Sequence, residues 1–291
     1  MFINLSPGAV HIQCGWIEGL DLAREAGFEG ADLNLAEAEK LAAEKDAAAV
    51  RALYEELGLK IGGWGFPVSW RGSDADYYES LARLPAQAAL AAEIGCFRTM
   101  TWVLPFSDEL TRREHFDRVT HRFRLAAEIL AEHGHSLGLE FVGPRNSRTG
   151  HKHGLVYSMD GMLALCCAIG MPNVGLLFDV WHWWTCRSTL DDLRQLSAED
   201  IVYVHLNDAP AGIDVLDQVD NQRCLPGQTG VIPAAAALRI LDEIGYDGPV
   251  TAEPFNQALR EVAQRDKLQA ARLTRASIEG VFRDAGLLQP S

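Results

Sequence analysis

The feature that most constrains this chain is a pattern that recurs along its 291 residues. An amphipathic segment rich in Ala, Leu and Glu ends at a glycine, and a short β-prone run follows. The instances are AREAGFEGADLNL, YEELGLKIGGW, AAEIGCFRTMTWV, LAEHGHSLGLEFV, CAIGMPNVGLLFDV and LDEIGYDGPVTAEPF. Their glycines, Gly27, Gly58, Gly95, Gly134, Gly170 and Gly245, are spaced 31, 37, 39, 36 and 75 residues apart. A glycine just past a helix takes the left-handed conformation without strain at a Cβ, so each of these marks a helix end. The last gap is two periods long and contains a helix-to-strand passage without glycine, LRQLSAEDIVYVHLND. With the opening strand FINL, the pattern predicts eight strands, at 2–5, 30–35, 60–65, 97–103, 137–142, 174–180, 201–206 and 250–254, and a final helix over 257–285.

Eight β-runs alternating with helices at one steady period predict an α/β fold, a (β/α)8 TIM barrel. A doubly wound sheet is the alternative, weakened because neither a Gly-rich dinucleotide fingerprint nor a P-loop follows the first strand. No low-complexity linker divides the chain, which reads as a single domain over 1–291.

Charge and cysteine usage narrow the function classes. With 26 Lys plus Arg against 40 Asp plus Glu, the formal charge is −14. Such a surface repels phosphate backbones, which argues against a nucleic-acid partner. No stretch approaches the roughly 20 apolar residues of a membrane span, so no membrane partner is expected. The start MFINLSPGAVHI lacks the basic and apolar regions of a secretory signal. Six cysteines without CxxC spacing read as reduced thiols. The expected location is the cytoplasm.

Chemistry in such a barrel sits at the C-terminal ends of the strands. The first four runs end NLSP, DLNL, GGWG and TMTWV and carry little that titrates. The last four differ: LGLEFVGP carries Glu140, LLFDVWH carries Asp179 and His182, VYVHLND carries His205, Asn207 and Asp208, and VTAEPF carries Glu253. A single such carboxylate reads equally well as a salt-bridge or capping residue. Glu, Asp, His and Glu at equivalent heights on four successive strands point instead to a cation, because burying carboxylates together is costly unless something neutralises them. Three carboxylates and one imidazole suit one divalent ion, Mn²⁺, Mg²⁺, Co²⁺ or Zn²⁺, better than a structural zinc.

The motifs LEFVGPR, FDVWH, VHLND, RCLPGQTGVI and TAEPF, in this order, resemble the sugar phosphate isomerase/epimerase superfamily. This is the xylose-isomerase-like barrel that includes ketose 3-epimerases, inosose isomerases and dehydratases, and abasic-site endonucleases. The resemblance implies metal ligands at Glu140, Asp179, His205 and Glu253, with Glu140 and Glu253 also the catalytic acid/base pair. It implies substrate contacts from His182 and Arg223, with second-metal or ligand-supporting roles open for His182. The turn PGQTG is one residue longer than the family's PGxG. The three-zinc endonuclease branch is a poor match: tryptophans stand where its extra histidines belong, and Asp220–Asn221–Gln222 ends in Gln where its D-x-H ends in a ligand. The implied activity is metal-dependent isomerisation or epimerisation of a sugar, keto-sugar or cyclitol through a cis-enediolate. A lyase or dehydratase acting on an inosose or 3-keto-glycoside is the alternative on the same site, and a binding barrel without catalysis is a third reading. Relatives of this kind are often dimers or tetramers.

Two further features bear on the substrate. Trp64, Trp102 and Trp181 fall at or just after strand ends, where their rings would wall a sugar pocket; packing between barrel and helices is the competing reading. The run from Phe141 to Met159 contains no acid, and its Arg145 is a candidate for binding a substrate carboxylate or phosphate, with an oligomer contact or solvated loop equally open.

Overall fold

Helices that end on a left-handed glycine hand the chain to parallel strands, and this sets the architecture. All six glycines named above have positive φ, from 67° at Gly58 to 99° at Gly95. The computed structural model describes residues 1–288; residues 289–291 of the expected single domain lie outside the described residues. The strands are β1 (Phe2–Leu5), β2 (Gly30–Ala31), β3 (Lys60–Ile61), β4 (Trp64–Gly65), β5 (Arg98–Trp102), β6 (Phe106–Ser107), β7 (Ser136–Glu140), β8 (His153–Gly154), β9 (Val174–Asp179), β10 (Ile201–Leu206) and β11 (Pro249–Ala252). Nine of them form one curled parallel sheet among the described residues, in the order β3-β2-β1-β11-β10-β9-β7-β5-β4. β6 and β8 form a separate antiparallel pair in the loops after β5 and β7.

The sheet curls into a TIM barrel because its two ends, β3 and β4, belong to one stretch of chain. The sequence predicts a single strand over 60–65; the structure divides it at Gly62–Gly63, pairing Lys60–Ile61 with β2 and Trp64–Gly65 with β5. Backbone bonds carry the seam across the gap, from Gly62 N to Ala31 O (3.0 Å) and from Leu33 N to Gly63 O (2.8 Å). Glycine is required there by space. A Cβ on Gly62 would run into the side chains of Asn4 and Asp32, and one on Gly63 would lie 2.6 Å from Met100 Cε. The obstruction at Gly62 is a polar plug inside the barrel. Asn4 Nδ2 lies 2.8 Å from Asp32 Oδ1, 2.9 Å from Tyr203 Oη and 3.0 Å from Thr251 Oγ1, and Tyr203 donates to Asp32 at 2.8 Å. Apart from Asn4 Oδ1, which has no hydrogen-bond partner, the members bond one another, which makes burial of this polar layer tolerable.

The other strands follow the expected runs, trimmed where the backbone leaves the ladder. The second run stops at Ala31 because Asn34 caps a helix, α2 (Leu35–Glu44), which precedes α3 (Ala47–Leu57). The outer layer continues with α1 (Trp16–Ala26), α4 (Asp74–Ile94), α5 (Arg112–Glu132), α6 (Met159–Ile169), the short α7 (Val180–Thr185) and α8 (Leu190–Leu193), and α9 (Ala234–Glu243). Helix α5 shows why these helices dock: Val119, Phe123, Ala126, Ala127 and Leu130 recur at helical spacing and are all buried. The final helix is not continuous over 257–285. Asp266, extended at φ −151°, ends α10 (Gln257–Arg265) and caps α11 (Lys267–Asp284) through Gln269 N. No helix among the described residues is long and apolar enough to cross a membrane.

The Gly62→Ala variant should unfold with a stability lowered by about 1–3 kcal/mol, the usual cost of forcing a methyl group into a filled interior. Thermal or urea unfolding measures it. A variant as stable as the parent would show that the plug can move aside.

Candidate metal centre

Parallel register brings the late-strand side chains together. Asp179, the last residue of β9, lies opposite His205 of β10, and His205 lies opposite Thr251 of β11. Alternation along a strand puts Glu253, two residues on, on the same face as Thr251. Glu140 closes β7. One ligand atom from each of Glu140, Asp179, His205 and Glu253 lies within 4.8 Å of the others. His205 Nδ1 is 3.3 Å from Glu140 Oε1, 3.6 Å from Glu253 Oε2 and 3.8 Å from Asp179 Oδ2. Glu140, Asp179 and His205 are buried, and Glu253 is partly exposed.

The charge balance of this cluster favours an added cation. Burial, with the Glu253 and Asp179 carboxylates adding to it against the His205 hydrogen bond, pushes Glu140 up to about 8. Burial also holds Glu253 above the usual carboxylate range, against His205 and Arg223. His205 is driven the other way from a buried imidazole, to about 9, because the surrounding carboxylates outweigh its burial. Burial likewise opposes ionisation of Asp179, yet Arg223, His182 and His205 hold it at about 2. Two carboxylates thus stay short of positive charge in a spot where three oxygen ligands and one nitrogen ligand converge. These residues fit a divalent ion.

Around the cluster a second set of residues fixes the donors. Asp179 Oδ1 accepts from Trp181 N (2.7 Å) and Asn207 Nδ2 (2.9 Å), and its Oδ2 accepts from Arg223 Nη1 (2.8 Å). Arg223 also reaches Glu253 Oε2 (3.1 Å) and is held by Asp220 Oδ1 (2.9 Å). His182 is buried, and desolvation keeps its ring neutral, with a pKa lowered to about 4. Its Nδ1 lies 3.2 Å from Gly143 N and its Nε2 3.2 Å from Arg223 Nη2. A neutral imidazole accepts at only one nitrogen, so these two donors compete for it. Above the cluster opens a cavity of about 400 Å³ walled by Trp102, Leu104, Phe106, Val142 and Phe255, with Glu140, His182, Asp220, Arg223 and Glu253 at its polar side. A larger hollow of about 730 Å³ lies over β1, β2 and β4 but touches none of the four clustered residues.

A family model described as the xylose isomerase-like TIM barrel matches residues 20–281. The chain belongs to this family. Among curated relatives, an inosose isomerase of Bacillus velezensis is 29% identical over 163 residues, which are 53% of this chain and 54% of that one. The chain thus spans about half the length of the curated relatives it matches. Among solved structures, a xylose isomerase domain protein from Alicyclobacillus acidocaldarius is similar throughout, with 34% identity, a TM-score of 0.87, and 98% of this chain and 99% of that one covered. An IOLI protein with a bound zinc atom shares the fold at 18% identity and a TM-score of 0.77, over 97% of this chain and 99% of its own.

Of the residues that sequence reasoning assigns to substrate in this xylose isomerase-like barrel, His182, Arg223 and Trp102 border the cavity. Trp102 is 41% exposed, and the Arg71 guanidinium lies 4.1 Å from its ring centre. Trp64 and Trp181 do not line it. Trp64 is fully buried, edge-on to His135, whose ring bonds Ala88 O of α4. Trp181 is also fully buried, beneath Arg223 at 5.3 Å. Arg145 turns outward to Asp217 at 2.7 Å. Sequence reasoning missed Asp220, which it treats only as the remnant of a zinc motif, and Phe255, which neighbours Glu253 and carries Arg223 over its ring at 4.5 Å. It also left Asp208 without a role and passed over Asp32, which fills the barrel plug. A carboxylate inside the otherwise buried run VHLND was the available signal for Asp208.

Asp208 clasps the loop that delivers Arg223. Its carboxylate accepts from Thr229 N and Gly230 N (both 2.7 Å), Ala209 N (2.8 Å) and Ile232 N (3.0 Å). Its backbone pairs with Cys224, the neighbour of Arg223. Replacing Asp208 by Ala leaves these donors without an acceptor, for a stability loss of about 2–5 kcal/mol. Limited proteolysis should then cut faster within 209–232, and an unchanged cleavage pattern would show that the loop does not depend on the clasp.

Proposed function

We propose that this protein is a divalent-metal-dependent isomerase or epimerase of a small keto-sugar or cyclitol. The observation that carries the reading is the cluster of Glu140, Asp179, His205 and Glu253 on the floor of an aromatic-walled cavity at the C-terminal end of the barrel. The names of the inosose isomerases it matches support a polyhydroxylated ring or chain as substrate.

In this reading the four clustered residues hold the ion. A divalent cation at such a site supplies Lewis-acid polarisation of a carbonyl and steadies the enediolate charge. The protein's own groups do the rest. Glu140 and Glu253, which reach the cavity from strands on either side of Asp179 and His205, are placed to remove a proton from the carbon beside the carbonyl and to return one. His182, buried and neutral at the polar side of the cavity, is placed to contact a substrate oxygen. Trp102 offers a ring edge and face to the C–H surface of a sugar. The apolar wall of Leu104, Phe106, Val142 and Phe255 keeps bulk water from the reacting carbon.

Two experiments test this. Chelation, reloading and elemental analysis should find about one ion per chain in the parent and none retained by Asp179→Asn, which keeps the helix-capping oxygen but removes the charge; several ions per chain would contradict a mononuclear centre. For the chemistry, the Mn²⁺-loaded protein is incubated in D₂O with a panel of ketoses, inososes and 3-keto-glycosides. Solvent deuterium should appear on carbon, and Glu253→Gln should slow the exchange at least ~100-fold, in line with the contribution of a positioned acid or base. Exchange accompanied by loss of water or an alcohol would assign a lyase instead, and no exchange with any member of the panel would end the enediolate reading.

A further inference from the structure

The Arg223 guanidinium shares oxygens with the metal centre. Its Nη1 lies 2.8 Å from Asp179 Oδ2 and 3.1 Å from Glu253 Oε2. These are the same two oxygens that face the His205 ring within the cluster. The side chain is 1% exposed and gripped from behind. Asp220 Oδ1 accepts from Nη2 and the Asp220 carbonyl accepts from Nε, both at 2.9 Å. The rings of Phe255 and Trp181 lie at 4.5 and 5.3 Å from its central carbon. The arm is fixed where it is, and it does not swing free into the cavity.

We propose that Arg223, anchored by Asp220, is a built-in counter-cation of the metal centre that lowers its affinity for a divalent ion. The inference rests on reading the cluster as a cation site. Two effects act in the same direction. With an ion present, guanidinium and metal repel one another across shared carboxylate oxygens in a poorly screened environment. With no ion present, the guanidinium already pairs with Asp179 and Glu253, so the ion-free centre is partly stabilised and gains less from metal. Proton uptake by bare carboxylates offsets part of the second effect but leaves the first intact. The centre therefore keeps its donors assembled without metal and binds an exchangeable ion.

The test is Mn²⁺ titration calorimetry on the full chain and on its Arg223→Gln, Arg223→Met and Arg223→Lys variants, with melting temperatures of the ion-free proteins recorded alongside. The two uncharged variants should bind Mn²⁺ at least tenfold more tightly, about 1.4 kcal/mol, while melting lower without metal. Arg223→Lys, which keeps the charge, should stay within about threefold of the parent, since the repulsion depends on charge more than on the fork. A purely structural arginine would lower the melting temperature and leave affinity unchanged or weaker. That result, in either uncharged variant that folds, overturns the proposal while leaving the metal centre in place. A parent protein that binds no Mn²⁺ overturns the metal-centre reading as well.

Discussion

Three carboxylates converge on one buried spot, and the surrounding structure is organised around keeping them there. Like charges brought out of water repel and lose solvation together. The protein answers with an imidazole in their midst, a guanidinium on one flank and an amide, Asn207, on the far oxygen of Asp179. Each of these groups needs its own support. His205 rides on a strand locked in register on both sides, whereas Arg223 comes from a loop, and loops hold position only when tied. Asp208 and Asp220 are the ties, one to the backbone of the loop and one to the guanidinium itself. Two further acids therefore serve to hold a cation against the first three.

The early strands play a different part. Their polar residues, Asn4 and Asp32, meet Tyr203 and Thr251 in a hydrogen-bonded layer, and none of the four lines the cavity above the cluster. Tyr203 stands two residues before His205, and the two rings meet edge-on at 5.5 Å. The plug is thus the layer on which the carboxylate–histidine cluster rests. It also accounts for the interrupted third strand, because its volume leaves room only for hydrogen at Gly62. Barrel closure and the floor of the site are set by the same few atoms.

Much of this was legible in the sequence, and the reasons divide cleanly. Periodic features survive translation into one dimension: the helix–glycine–strand repeat predicts the barrel, and the strand ends predict Glu140, Asp179, His205 and Glu253, which register then brings together. Side-chain direction is harder, because a shift of one residue turns a strand residue to the other face. Trp64 and Trp102 look alike as strand-end tryptophans, yet one packs against His135 and the other borders the cavity. Long-range partners are harder still. Nothing near Arg145 announces that Asp217, 72 residues away, turns it outward. Nor does a broken D-x-H motif announce that its surviving Asp220 grips an arginine three residues on. The break at Asp266 was hidden because helical spacing resumes immediately after it.

Asp179 is the last residue of its strand and the cap of the helix that follows, its Oδ1 accepting from Trp181 N. Position 179 therefore meets a folding demand whatever the cluster holds, whereas Glu253 sits beyond its strand and partly exposed. In a lineage that abandoned the chemistry of this cluster, its four residues would not decay evenly. Glu253 would be free to drift early, and an aspartate at 179 would persist as a relic, mistaken for a functional ligand by anyone reading conservation alone.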